Sequence, residues 1–109
     1  MAEGDPDGRL KRVQIAIPVQ LFDGRRTVAA EVCDLSEGGV FVAVSPPIPI
    51  GTGLSFWLDV YGVRLPVRGT VRWTRSLPGM HGEPVGFGLE FYDTDGSLAA
   101  QVRAAMSRA

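Results

Sequence analysis

The chain has 109 residues, 45% of them hydrophobic, with eleven basic and twelve acidic side chains and a formal net charge of −1. That length buries one core and leaves too little surface for an independent second domain, and the near-balance of charge removes the whole-domain electrostatic case for binding a nucleic acid polymer. No apolar run approaches the roughly 18 to 20 residues of a membrane span. The acidic start, with Glu3, Asp5 and Asp7, is not a signal peptide, and the lone Cys33 has no second thiol for a disulfide or a metal site, so a cytoplasmic domain without membrane insertion is expected. Residues 1–12 read as a leader that ends in a basic cluster, Arg9, Lys11 and Arg12. Val13, Ile15, Ile17, Val19 and Leu21 then alternate with Gln14, Ala16, Pro18 and Gln20, the two-residue period of a half-buried strand, in which Pro18 marks a free edge or a bulge. Asp23-Gly24 is a turn signal, and Thr27 to Cys33 reads as a second strand.

Between that strand and a third, Val40 to Val44, stands Asp34-Leu35-Ser36-Glu37-Gly38-Gly39. Asp34 can accept hydrogen bonds from a ring N–H or an amino group, Ser36 can donate or accept, and Gly38 and Gly39 allow approaches barred to residues with a Cβ. A ligand-binding turn is one reading; a hairpin connection in which Asp34 and Ser36 bond their own backbone is the other. Pro46, Pro47 and Pro49 with Gly51 and Gly53 cannot continue a ladder, so a loop crosses to a fourth strand, Leu54 to Val60. After a turn at Tyr61-Gly62 the segment Val63 to Trp73 is apolar at most odd positions and carries Arg64, Arg68 and Arg72 on its other face, either a docking stripe or a solvated face with ion pairs to acids such as Glu90. Trp57 and Trp73 read as core or rim packing. A long turn over 76–84 precedes a sixth strand, Val85 to Phe91.

The end of the chain differs in kind. Asp93-Thr94-Asp95-Gly96 offers side-chain caps for a helix whose Leu98, Val102, Ala105 and Met106 lie near one face. Six strands and one helix in so short a chain close most easily into a small antiparallel barrel, because closure removes unpaired edges and the helix covers an open end. The fold class is all-β: a leader over 1–12, a barrel over 13–92 and a helix over 93–109.

These residues resemble the PilZ domain family, and the likeness runs from Arg9 to the C-terminal helix. Asp34, Ser36 and Gly39 match the family's D/N-x-S-x-x-G motif in full, Val71-Arg72-Trp73 matches V-x-W, and Gly86-Phe87-Gly88-Leu89-Glu90-Phe91 matches G-x-G-x-x-F. The resemblance implies a six-stranded antiparallel barrel and binding of the bacterial second messenger cyclic di-GMP. It assigns ligand contacts to Arg12, Asp34, Ser36, Gly38 and Gly39. The family's basic motif is R-x-x-x-R, but Gly8 stands four residues before Arg12, and the nearest arginine, Arg9, gives R-x-x-R. Arg9 is then the substitute contact, with Lys11 as an auxiliary charge.

No paired carboxylates, metal-ligand spacing, Walker loop or dinucleotide fingerprint is visible, and His81 lies in a turn without a nucleophile partner, so no enzyme, cofactor or metal is expected. Two functional classes follow. One is a sensor that binds cyclic di-GMP and relays it to an unidentified bacterial protein partner, with motility among the candidate outputs. The other is a PilZ-like adaptor that acts by protein contact alone.

Overall fold

The computed structural model describes residues 12–108, so Arg9, Lys11 and the rest of the leader before Arg12 lie outside the described residues. Two-residue alternation places the strands' inner faces. In β1 (Val13–Phe22) Val19 and Leu21 are buried while Gln20 and Phe22 are exposed, and the same period runs through β4 (Gly53–Val60) and the first half of β5 (Val63–Arg75). With β2 (Thr27–Ser36), β3 (Gly39–Ala43) and β6 (Gly86–Phe91) these strands close an antiparallel barrel in the order β1-β2-β3-β6-β5-β4. The seam between β1 and β4 is narrow, with Phe22 opposite Ser55, so Pro18 lies where β1 has a ladder partner on the β2 side alone.

The interior is one aliphatic cluster with Phe56, Phe87 and Phe91 among it. The helix α1 (Ser97–Met106) lays Leu98, Val102 and Ala105 into that same cluster and so covers an opening of the barrel. Each fully buried aliphatic side chain of this kind stabilises the fold by about 1.5–3 kcal/mol relative to exposure. The helix start is capped from upstream. Asp93 accepts the N–H of Leu98 at 3.0 Å and of Ala99 at 2.9 Å, and Asp95 accepts the N–H of Ser97 at 3.0 Å. These bonds satisfy amides that a helix's first turn leaves without partners.

One sequence expectation is corrected and another is narrowed to one of its alternatives. The second strand continues past Cys33 to Ser36, so only Glu37 and Gly38 form the connection to β3. Of core or rim packing for Trp57 and Trp73, the core is excluded: they are 53% and 40% exposed on the outer wall. Arg72 does meet Glu90, with Nε 2.7 Å from the carboxylate.

Candidate functional site

Two β-bulges aim the site. Val32 pairs with Val42 and Asp34 pairs with Phe41, so Cys33 is an extra residue in β2. Strict alternation from the buried Val32 would turn Asp34 into the core and Leu35 out to water. The extra residue reverses this, so that Leu35 is fully buried and Asp34 faces outward. In β5, Val71 pairs with Leu89 and Trp73 with Gly88, which makes Arg72 the extra residue. Arg72 and Trp73 therefore both lie outside, although the odd-position pattern of the strand would send the indole inward.

The bulges set up a row of neighbours across five strands: Gln14 beside Asp34, Asp34 beside Phe41, Phe41 beside Gly88, and Gly88 beside Trp73. A surface groove of about 740 Å³ runs along this row, and Arg12, Ser36, Gly38, Gly39, Arg72, Arg75 and Glu90 also line it. Its size suits a small-molecule ligand. At one end Arg12 Nη1 lies 2.7 Å from Asp34 Oδ1, which also accepts the Phe41 N–H at 3.2 Å; among the described residues no hydrogen bond reaches Asp34 Oδ2. This ion pair is partly open to water, so it is worth at most about 1 kcal/mol and exchanges readily for other partners.

At the other end the Phe41 and Trp73 rings are tilted against each other with centroids 5.3 Å apart, and the Arg75 guanidinium lies over both, 4.8 Å from Phe41 and 5.2 Å from Trp73. Phe41 is buried, yet it stands outside the barrel cluster, beneath Trp73 and Arg75. Gly88 permits this arrangement, since a Cβ there would collide with the Trp73 indole. Arg75 is held in place by a bond from Nη1 to the Pro84 carbonyl at 3.1 Å.

The connection itself is built from its own polar groups. Ser36 is buried, its hydroxyl accepting the Gly38 N–H at 3.3 Å and lying 3.4 Å from the Gly39 carbonyl, so it braces the turn. Gly39 cannot carry a Cβ because the Leu89 carbonyl oxygen occupies that space, and the Gly38 carbonyl accepts the Phe91 N–H at 2.9 Å. Of the candidate residues, Arg12, Asp34, Ser36, Gly38 and Gly39 thus gather at one groove, with Asp34 and Arg12 presenting their charges to it and the other three shaping it. Arg9 and Lys11 lie outside the described residues.

Phe41, Trp73 and Arg75 belong to the site without having been assigned to it from the sequence; the bulge at Arg72 that exposes the indole leaves no mark in a hydropathy pattern. Arg12, Arg72 and Arg75 stand against Asp34, Glu83 and Glu90, three charges of each sign, so the lining itself carries no net formal charge. Cys33 also lines the groove; burial pushes its thiol up from the ordinary range, and the nearby Glu31 adds to this. Among the described residues no group of three or more His, Cys, Asp or Glu side chains is arranged to hold a metal ion, and no helix is long and apolar enough to cross a membrane.

The chain's likeness to known proteins agrees with this geometry. No curated protein matches the sequence. Among solved structures, the Bacillus subtilis inhibitor of motility (MotI/DgrA) is similar, with a TM-score of 0.69 and 17% identity over 92% of this chain and 50% of that one, so the chain spans half the length of that protein. The family model of the PilZ domain matches residues 9–108, which takes in every strand of the barrel, both sides of the groove and the helix. The chain belongs to the PilZ domain family.

Proposed function

We propose that this domain binds cyclic di-GMP in the groove between Arg12 and Trp73 and relays its occupancy to a bacterial protein partner by contact, in the cytoplasm. The observation that carries this reading is the row that sets Asp34, Phe41 and Trp73 side by side, a carboxylate next to an aromatic platform. A guanine presents N–H donors that suit a carboxylate and a π-face that suits stacking on an indole. Arg12 would leave Asp34 for a phosphate or a guanine acceptor edge, and the guanine donors would take its place, an exchange that costs little because the pair is partly exposed. Arg9 and Lys11 supply the charge that the lining lacks.

The second reading, an adaptor that does not bind the nucleotide, is favoured by Gly8 in the place of the first arginine. Losing one charge-assisted contact costs about 1.5–3 kcal/mol, or about ten- to a hundred-fold in affinity. Isothermal titration with cyclic di-GMP, against GMP and cyclic di-AMP, separates the two. Selective binding in the micromolar range supports the sensor; no heat at a hundredfold higher concentration supports the adaptor. Because a protein of similar fold is named as an inhibitor of motility, swimming is the first phenotype to score.

A further inference from the structure

The groove holds two ion pairs of the same kind. Arg12 meets Asp34 at one end, and Arg72 of β5 meets Glu90 of β6 through Nε and Oε1, both at 2.7 Å and both partly or mostly open to water. All four side chains line the groove. In the register of the barrel Asp34 is level with Phe41 and Gly88, while Glu90 is level with Gly39 and Ser36, two residues farther along. The two carboxylates therefore stand on β2 and β6, two strand spacings or about 10 Å apart across the sheet. β3 runs between them, with Phe41 beside Asp34 and Gly39, which has no side chain, beside Glu90. Among the described residues no hydrogen bond reaches Glu90 Oε2, just as none reaches Asp34 Oδ2. The third acid and the third arginine of the lining are engaged otherwise: Glu83 accepts the His81 N–H at 3.2 Å, and Arg75 lies over the rings of Phe41 and Trp73.

We propose that the Arg72–Glu90 pair is a second guanine subsite, so that one cyclic di-GMP bridges the groove with a guanine edge on each carboxylate. The subsite rests on the nucleotide reading above and extends it. A guanine carries two adjacent N–H donors along one edge, which a carboxylate accepts in parallel; adenine has one donor beside an acceptor there. Each such exchange releases an arginine. Two exchanges free two guanidiniums for the two phosphates of the ligand, so a lining without net formal charge becomes complementary to a dianion that carries two guanines. One pair alone would meet one guanine and one phosphate and leave the other half of the ligand without partners. Neither pair resists the exchange, because ion pairs this open to water contribute little to stability.

The test is calorimetric titration of the native chain and of the double variant Arg72→Ala with Glu90→Ala, which removes one charge of each sign. The ligands are cyclic di-GMP and the cyclic GMP-AMP of the same linkages, which keeps the ring and both phosphates and replaces one guanine by adenine. The native chain should bind one cyclic di-GMP, about tenfold or more tightly than the hybrid. In the double variant cyclic di-GMP should lose about tenfold or more in affinity, and its advantage over the hybrid should shrink to within about threefold, with the thermal melt close to native. Loss of Arg72 weakens both ligands alike, whereas loss of Glu90 bears on the second guanine, so the ratio of affinities reports the subsite. Equal affinity of the native chain for both ligands would show that one guanine is read. An unchanged ratio in the double variant would show an ordinary surface ion pair. Two nucleotides per chain, falling to one in the variant, would show separate ligands at the two pairs. Each of these overturns the proposal. If the native chain binds no cyclic di-GMP, the nucleotide reading fails and the subsite with it, a result seen before any variant is compared.

Discussion

At the scale of single residues the groove depends on two devices, an exchangeable charge pair and a missing Cβ. Arg12 and Asp34 are 22 positions apart in sequence and meet at 2.7 Å. Arg12→Ala should reduce cyclic di-GMP affinity by about ten- to a hundred-fold, the worth of one charge-assisted contact, measured by titration calorimetry. The same change should shift stability by less than about 1 kcal/mol in a thermal melt, because the pair is solvent-exposed. Gly88→Ala tests the other device. A methyl at Gly88 displaces the Trp73 indole and separates it from Phe41, forfeiting an aromatic pair worth about 0.5–1.5 kcal/mol. A base stacked on that ring contributes about 1–3 kcal/mol, so affinity should fall by about fivefold or more, with a changed Trp73 emission in a Trp57→Phe background. Asp34 was legible in the sequence because its motif is written in consecutive residues. Trp73 and Arg75 were not, because their part depends on a register that only the paired strands define.

Among the elements, the strands and the helix were legible because each carries its own period: two in β1 and β5, and Leu98, Val102 and Ala105 on one face of α1. The bulges at Cys33 and Arg72 were not, since an extra residue shows itself only against the strand opposite. Pro18 hinted at an irregularity, and one does occur in β1 between Gln14 and Ile17, opposite Cys33. The acidic residues before the helix were read as caps, and their function is specific. Asp93→Ala removes the acceptor for two amides at once and should cost about 1–2 kcal/mol, measured by denaturant titration, with α1 the first element to lose amide protection. The loop lining the groove carries a pH response. Glu83 accepts the N–H groups of Glu83 itself and His81, which lower its carboxyl below the ordinary 4.5. Depression of the folded-state value means that this contribution is present above pH 4.5 and lost as pH falls below it. Hydrogen exchange at His81 should therefore be steady around neutrality and accelerate beyond the intrinsic trend only on acidification below that point.

Across the whole molecule, the barrel sets the candidate groove, which spans β1, β2, β3, β6 and β5, apart from the exposed Phe22, Trp57 and Tyr92 beside β4, and α1 touches both regions. Its start lines the hollow beside Trp57 and Tyr92 through Ser97 and Leu98, while Arg103 reaches back to Glu37 in the connection between β2 and β3 with Nη1 2.8 Å from the carboxylate. The same connection is fastened to β6 by the bond from Phe91 to Gly38, so a ligand that moves Asp34 pulls on a turn tied both to the sheet and to the helix. Magnitudes bound what this tie can transmit. Arg103 is largely exposed, so the bridge is worth at most about 1 kcal/mol, and a coupling of that size changes an affinity by about fivefold. Arg103→Ala should accordingly leave cyclic di-GMP affinity within about fivefold of the native value. On the proposed function, nucleotide should slow amide exchange in α1, β2 and β3 of the native chain, and Arg103→Ala should abolish the slowing in α1 while that in β2 and β3 persists. If exchange in α1 slows equally in both proteins, the signal leaves through the sheet by way of Phe91, and the bridge serves only to seat the helix.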